Sequence, residues 1–408
     1  MRARGETLDE ALYEQLALNE GGRILFLVMD GLGGFRTAER GSELAEADCP
    51  NLDRLTSEGI TGLLDPVAAG ITPGSGPGHL GLFGYDPFCY EIGRGALSAA
   101  GLGYDLAPGD VAARVNLCTL SDDGTIADRR AGRLPTDEAR AVCEAVLSGL
   151  KIDGVEVVLA PEREHRALLL LKGDGLDARV GDTDPQAEGV IPLDPRPLDP
   201  AASRTADAVA QLLDHARSVL SDRERANFLL LRGFDSQTDL PSFAERYRLR
   251  AQVLAQYPMY FGIARLLGME ARALLTGIEE QVSELVETFG QFDFTFFHFK
   301  ATDSAGEDAD FARKCAAIEE FDSAVIPAAR ALDPDVIVVT GDHATPSQYG
   351  AHSWHPVPVI LWSSRAGRDL VERFDEDACV LGRIGRRRAC ELFPMVLAAA
   401  GRLAKYGA

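Results

Sequence analysis

The chain has 408 residues, of which 46% are hydrophobic and 25% charged, with a formal net charge of −22. That acidity excludes a nucleic-acid backbone as the main partner, and no apolar run approaches membrane-spanning length, so the expected partner is a small molecule met in a locally basic pocket. The cysteines are odd in number and scattered, with no C-x-x-C pair. With an acidic N-terminus that is interrupted where a signal peptide would be apolar, they predict a cytoplasmic protein with reduced thiols, built from a large and a smaller domain.

In chain order, Leu8–Glu20 reads as a short amphipathic helix. Arg23–Met29 (RILFLVM) is a nearly continuous apolar run between Gly21-Gly22 and Asp30-Gly31. Such a run predicts a strand buried on both faces of a parallel sheet, with Asp30 at its carboxyl end. Taken alone, Asp30 reads more readily as a turn residue opening Asp-Gly-Leu-Gly-Gly. Pro50–Glu58 predicts a helix and Ile60–Leu64 a strand. Thr72–Leu80 (TPGSGPGHL) is a Gly/Pro-rich turn presenting one hydroxyl, Ser75, ahead of an apolar stretch that can open a helix. Its glycines allow a phosphate or metal to approach the backbone, and a helix N-terminus favours anionic charge. Ser75 is therefore a candidate nucleophile, set against the alternative of a plain surface loop.

From Gly93 the pattern becomes Gly-rich, basic and shorter in period. Asp110–Leu120 alternates like a half-buried strand, and Asp122-Asp123-Gly124 reads as a hairpin turn into Thr125–Asp128. The run Asp128-Arg129-Arg130-Ala131-Gly132-Arg133 gathers arginines in an otherwise acidic chain, and guanidinium forks suit carboxylate and phosphate. A solvated basic turn is the competing reading. Val155–Leu159 and, after His165-Arg166, Ala167–Leu171 continue the strands. Glu188–Ala202 reads as an exposed proline-rich connection and Ala202–Ser221 as a helix, with His215 structural. Asn227–Leu231 is a strand that either closes the smaller domain or opens the second half of the larger one.

Phe243–Ala264 carries helix-periodic apolar positions, Glu270–Leu275 a strand, Ile278–Phe289 a helix, and Phe292–Phe299 a strand ending near His298 and Lys300. The next loop, Thr302–Asp310, is dense in carboxylates. Capping and helix-dipole effects explain one or two of them, but not Asp303 and Glu307 as well. A helix with Phe311, Cys315, Ile318, Phe321 and Val325 near 3.6 periodicity follows the Asp310 cap. Val336–Leu361 then reads as a strand, Asp342-His343 at its end, a polar loop with His352 and His355, and a second apolar run. Gly385–Arg388 reads as the solvated start of the last helix. Asp30, Ser75, Asp303, Glu307, Asp342, His343 and His352, with His355 a further candidate, offer oxygen and nitrogen ligands, and seven of them suffice for two divalent metals about 3.5–4 Å apart. Carboxylates with imidazoles and no thiolate favour Mn²⁺, Mg²⁺, Zn²⁺ or Co²⁺.

Together, Asp30-Gly31, PGSGPGHLGLFGYDP around Ser75, Lys300-Ala301-Thr302-Asp303, Gly341-Asp342-His343 and His352-Ser353-Trp354-His355-Pro356-Val357-Pro358 resemble the archaeal-type, cofactor-independent phosphoglycerate mutases of the alkaline phosphatase superfamily. Arg114-Val115-Asn116, Asp128–Arg133, Gly181-Asp182-Thr183-Asp184-Pro185 and the Lys405–Ala408 ending extend the likeness over nearly the whole chain. The resemblance implies an α/β protein with an alkaline-phosphatase-like, mostly parallel sheet sandwiched by helices. Residues 1–92 and 226–408 would form this metal-binding core, and 93–225 an inserted, smaller α+β lid domain. Carried over by motif, Asp30, Ser75, Asp342 and His343 surround one metal, and Asp303, Glu307 and His352 the other. Ser75 takes the phosphoryl group of 3-phosphoglycerate as a phosphoserine and returns it to the 2-hydroxyl of glycerate, with no 2,3-bisphosphoglycerate required. Arg129, Arg133, Arg166 and Arg232 are expected to hold the carboxylate and phosphate of this small phosphorylated acid. Within the last motif only His352 sits at the matching ligand position, so His355 is expected to lie behind the ligands or to be structural.

One position departs from the pattern. The family's Asp-x-x-Gly-His reads Asp-x-x-Gly-Glu here, and Glu307 makes the second site harder and more negative, favouring Mn²⁺ or Mg²⁺. It also keeps open a related phosphotransferase or phosphatase, homoserine-kinase-like, and a non-catalytic metal-binding protein. The sequence carries no signal for an oligomeric state.

Overall fold

The computed structural model describes residues 8–90, 92–236, 240–272 and 274–407. The chain divides into two compact units, one comprising Met1–Glu91 with Leu240–Ala408 and the other Ile92–Asp239. Strands β1 (Ile24–Met29) and β2 (Ile60–Asp65) precede β3 (Val111–Leu120), β4 (Ile126–Asp128), β5 (Glu156–Arg163), β6 (Arg166–Lys172) and β7 (Phe228–Asp235) of the second unit. They are followed by β8 (Ala251–Leu254), β9 (Glu270–Ala271), β10 (Phe294–Phe299), β11 (Val336–Thr340), β12 (Val357–Trp362) and β13 (Gly385–Arg388).

The first unit is built on an 8-stranded sheet in the order β13-β2-β12-β11-β1-β10-β8-β9. Every neighbouring pair is parallel except the two that β12 makes, with β11 and with β2. The apolar run of β1 is buried along its whole length between β10 and β11. Successive side chains point to opposite faces. Leu25, Leu27 and Met29 pack with Leu52, Leu55, Ile318, Phe321 and Val325 of two helices. On the other face Phe26 meets Phe294, and Phe83 meets Phe296 with ring centroids 4.9 Å apart. Phe83 caps the helix Ser75–Leu82, so this aromatic contact anchors the helix that begins at Ser75.

Parallel direction puts the carboxyl ends of β1, β10 and β11 along one edge, where Asp30, Lys300 and Asp342 follow them. Because β12 runs back antiparallel beside β11, residues 341–356 start and finish at that same edge. His352 is thereby kept next to Asp342 and His343.

In the second unit β3 pairs antiparallel with β4, β6 and β7, and β6 with β5. The helices Thr136–Leu147 and Ser203–Val219 cover this sheet through Val142, Val146, Val209, Leu212 and Ala216. β7 is in register with Ala112–Cys118, so the strand expected at Asn227–Leu231 belongs to this unit. The return to the larger unit therefore falls at Leu240 and not at 226.

Four local expectations change. Phe243–Ala264 is not one helix: Phe243–Tyr247 ends at Arg248 in the left-handed region (φ 57), β8 follows, and a new helix starts at Pro258. The acidic stretch after β10 is a helix, Ala301–Glu307, and not a loop. Only Glu270–Ala271 of the strand expected at Glu270–Leu275 forms among the described residues; position 273 lies outside them, as do residues 1–7 and the final Ala408 of the terminal motif. Gly385–Arg388 is an edge strand, β13, because Arg386 forks onto Asp65 of β2 (2.8 Å) and Arg388 pairs with Asp86. No described helix is long and apolar enough to cross a membrane.

Gly306 shows how closely these elements meet, since a Cβ there would lie 2.2 Å from the carbonyl oxygen of Thr345. The substitution G306A must displace the helix carrying Asp303 from the loop carrying His343. It should cost about 1–3 kcal/mol, read as a lower midpoint of urea denaturation.

Candidate metal centre

Asp30, Asp342 and His343 are fully buried and bring one ligand atom each within 4.8 Å of one another. Nε2 of His343 is 3.3 Å from Oδ1 of Asp30 and 3.3 Å from Oδ2 of Asp342. None of these three atoms has a hydrogen-bond partner. Their outward atoms are held instead. Asp30 Oδ2 accepts from the Tyr260 hydroxyl and from Lys300 Nζ (2.9 Å), and Asp342 Oδ1 accepts from the Gly31 N–H at 3.1 Å. Thr345 donates its one hydroxyl proton to Asp303 Oδ1 (2.6 Å), so its oxygen accepts from His343 Nδ1 at 3.0 Å. That assigns the proton to Nδ1 and leaves Nε2 a lone pair facing the two carboxylates. Buried lone pairs converging without donors are costly, about 1–3 kcal/mol each, unless a cation takes them. Outer partners that orient the inner atoms are the arrangement of a metal site.

A second group adjoins the first: Asp303, His343 and His352 also lie within ligand distance of one another. His352 Nε2 is 3.7 Å from Asp303 Oδ1 and 4.0 Å from Glu307 Oε1, and its ring stacks on His343 at 3.7 Å. Its Nδ1 donates to the Pro73 carbonyl at 3.0 Å. His343 stands in both groups, where motif alone assigns it to one. Glu307 ends its helix with a side chain 56% exposed, outside the close group but within reach of His352. Lys300 Nζ contacts Asp303 as well as Asp30, so one ammonium bridges the outer oxygens of both groups. The donor set of carboxylates and imidazoles fits hard or borderline divalent cations.

Charge is settled unevenly between the buried carboxylates. Burial alone would raise Asp30, but the Lys300 ammonium and then the His298 and His343 imidazoles beside it hold it well below the usual carboxylate range. Asp342 has no such cation; burial and then the negative charge of Asp30 push its carboxyl up to about 8. Burial, against the attraction of Asp30, brings His79 down to about 3, so its imidazole is neutral.

Ser75 opens the helix Ser75–Leu82 and is half-buried. Its segment is tied to both groups. Pro73 accepts from His352, Ser75 O accepts from His79 Nδ1 at 2.8 Å, and that imidazole nitrogen is 3.3 Å from Asp342 Oδ2. A Cβ on Gly78 would come 2.4 Å from the Asp342 carbonyl oxygen, so only glycine lets the helix lie this close. His79 was legible in principle, since i and i+4 share a helix face. Tyr260, stacked on His298 at 3.6 Å, and Thr345 carry no signal in sequence. His355 lies off the centre, stacked between Phe35 and Trp354.

The basic residues expected to hold substrate lie in the second unit. Arg129 grips Asp184 with two nitrogens (2.6 and 3.1 Å), and Arg232 approaches the same carboxylate at 3.9 Å. Burial, then the charges of Arg94 and Arg114, lower the Arg232 guanidinium to about 10. Arg166 begins β6 and also adds its charge beside Arg94. Arg133 is exposed on the turn after β4 and joins none of these ion pairs. Arg94 was missed because no motif marks it, and Arg114, though it stands in the Arg114-Val115-Asn116 motif, was given no role because nothing local shows it as a charged neighbour of Arg232.

The family model described as 2,3-bisphosphoglycerate-independent phosphoglycerate mutase matches residues 56–226. A Thermus thermophilus protein named probable 2,3-bisphosphoglycerate-independent phosphoglycerate mutase is 46% identical over 97% of this chain and 99% of its own. A Thermotoga neapolitana protein of the same name is 45% identical over 98% and 99%. Among solved structures, the PH0037 protein of Pyrococcus horikoshii is 27% identical and superposes with a TM-score of 0.81, covering 95% of this chain and 100% of that one. The cofactor-independent phosphoglycerate mutase of Thermoplasma acidophilum is 30% identical, with a TM-score of 0.69 over 94% and 100%.

A cation binds the ionised form of Asp342, so at pH values below about 8 its uptake must release a proton. Apparent Mn²⁺ affinity should rise with pH up to about 8 and then level off. For chelator-treated protein the sign reverses. A raised carboxyl stabilises the fold at low pH, and that contribution is lost as pH climbs through about 8. Titration calorimetry in two buffers of different ionisation enthalpy, with melting curves across the same pH range, measures both.

Proposed function

As the chain belongs to the 2,3-bisphosphoglycerate-independent phosphoglycerate mutase family, we propose that it interconverts 3-phosphoglycerate and 2-phosphoglycerate through a phosphoserine at Ser75. The observation that carries this reading is the position of Ser75 at a helix N-terminus strapped by Pro73 to His352 and by His79 to Asp342. Two divalent cations, one held by Asp30, Asp342 and His343 with Ser75 and the other by Asp303, Glu307 and His352, would neutralise phosphoryl charge and acidify a bound hydroxyl. The Glu307 carboxylate favours Mn²⁺ or Mg²⁺ for the second of these.

In the first half-reaction Ser75 Oγ forms a bond to phosphorus as the bond from phosphorus to the 3-oxygen breaks. The serine proton leaves and one proton is taken up at the 3-oxygen. In the second half the 2-hydroxyl of glycerate attacks the phosphoserine and Ser75 regains its proton, so neither water nor a net proton is consumed. The N–H groups at the start of the Ser75 helix favour the anionic phosphoryl group. Lys300, between Asp30 and Asp303, fixes the carboxylates and keeps the site from accumulating negative charge. We assign Arg129, Arg133, Arg166 and Arg232 to the carboxylate and phosphate of the substrate. Asp184 presents the Arg129 fork in one orientation. The free cysteines are in keeping with a cytoplasmic setting.

In an enolase-coupled assay with 3-phosphoglycerate and Mn²⁺, S75A should lose activity on the order of 10³-fold or more. It should also lose the acid-stable phosphoprotein that labelled substrate leaves on the wild type. No turnover by the wild-type protein, or release of inorganic phosphate in place of 2-phosphoglycerate, overturns the reading. E307A should weaken one of two Mn²⁺ binding events by about tenfold, roughly 1.4 kcal/mol, and leave the other unchanged in the same calorimetric titration.

A further inference from the structure

The ligand atoms of the two cation groups owe their aim to two short loops, residues 30–35 after β1 and 341–347 after β11. The loops press on each other: Gly31 adopts φ +62, and a Cβ there would be 2.5 Å from Thr345 Oγ1 and 2.7 Å from Asp303 Oδ1. Such backbone lies outside the sheet ladder: two backbone hydrogen bonds join the loops directly, Thr345 N–H to Gly31 O at 3.2 Å and Gly33 N–H to His343 O at 3.4 Å, and the remaining buried carbonyl and N–H groups need partners from elsewhere. Three side chains that touch no ligand atom supply them, Lys314 and Glu43 buried and Glu376 half-buried. Lys314, in the first turn of the helix Phe311–Ala331, donates from Nζ to Gly31 O at 2.9 Å, Gly33 O at 3.2 Å and Thr345 O at 2.9 Å. All three ammonium protons are thus used, two on one loop and one on the other. Glu376 accepts from the Gly34 N–H at 2.8 Å, and Glu43 accepts from the Ser347 N–H at 2.7 Å. A Cβ on Gly34 would meet Glu43 Oε2 at 2.5 Å and Glu376 Oε1 at 3.5 Å, so the two carboxylates converge where the loops do.

An apolar side chain of the same length would fill Lys314's space equally well while taking the donor from the buried Gly33 and Thr345 carbonyls and leaving Gly31 O with the Thr345 N–H at 3.2 Å. The lysine therefore does something that packing does not require. We propose that Lys314, balanced by Glu43 and Glu376, is a positioning residue for both cation groups: its ammonium staples the loop after β1 to the loop after β11, so that Asp30, Asp342 and His343 face one point. The staple also acts on Asp303, because Thr345 carries both a carbonyl held by Lys314 and the hydroxyl that orients Asp303. This rests on the metal-dependent reading above and adds to it the residue on which the geometry of the cation groups depends.

The test is K314M in the full-length protein, which keeps the side chain's length and removes the ammonium. Mn²⁺ affinity at both sites should fall at least tenfold by calorimetry. Amide hydrogen exchange should quicken in peptides covering 30–35 and 343–347 while the helix Phe311–Ala331 stays protected. The control is I326V on the same helix, which trims a buried core residue away from the loops; it should lower the melting temperature yet leave Mn²⁺ affinity within twofold. Wild-type affinity and wild-type exchange in K314M overturn the proposal. If the wild-type protein takes up no Mn²⁺, the metal reading fails, and exchange alone decides: quickening confined to the two loops upholds the staple, unchanged exchange removes it. Should K314M not fold, E43Q carries the same test, with affinity expected to weaken threefold or more and exchange of 343–347 to quicken. Wild-type values of both in E43Q overturn the proposal.

Discussion

Two carboxylates with no access to water, Asp30 and Asp342, stand at the ends of neighbouring parallel strands, and much else in the larger unit follows from keeping them there. Like charges in a low-dielectric interior cannot both persist without a cation between or beside them. Asp30 is relieved on one oxygen by Lys300, Tyr260 and His298, whereas the inner oxygen of Asp342 has only His343 and His79 beside it. Burial that would be a defect in an ordinary core here creates strong demand for divalent charge at one point.

The sheet meets that demand with direction. Three parallel strands in the order β11-β1-β10 deliver Asp342, Asp30 and Asp303 to one edge, and the single reversed strand, β12, brings His352 back to it. Position is then refined by close approaches to glycine, against backbone at Gly78 and Gly306 and against side chains at Gly31. Gly78 on Asp342, Gly306 on Thr345 and Gly31 on Asp303 are all places where one added carbon would push a ligand away. Such close approaches explain why the site is rich in glycine without being loose: each glycine is held against a partner.

The second unit handles charge in the opposite sense. In a chain of net charge −22, Arg94, Arg114, Arg129, Arg166 and Arg232 gather around a few acids, and Asp184 is shared by two of them. Arg114 approaches Glu162 at 3.5 Å, Asp182 adds its charge beside Arg94, and the bidentate Arg129 pair holds one fork in place.

Much of this was legible from residue order alone. A fully apolar hexapeptide followed by Asp30, the Ser75 turn, the Asp303 segment and the Asp342-His343 pair are each short-range patterns, and their chemistry does not depend on where the chain goes between them. The α/β class, the buried central strands and the choice of Asp30, Asp303, Asp342, His343 and His352 rest on that local information. Local patterns failed where distant partners decide. Apolar periodicity could not separate β8 from the helices around it, because a left-handed residue and a proline break the run. Arg386 and Arg388 looked solvated because Asp65 and Asp86 lie some 300 positions away. The same holds for Tyr260, Thr345 and Lys314, which make long-range contacts that no spacing announces. Sequence by itself determined which groups could bind a cation or attack phosphorus, since that is the chemistry of side chains. Only the tertiary structure decided which atom of each group faces inward, because that depends on what occupies the other one.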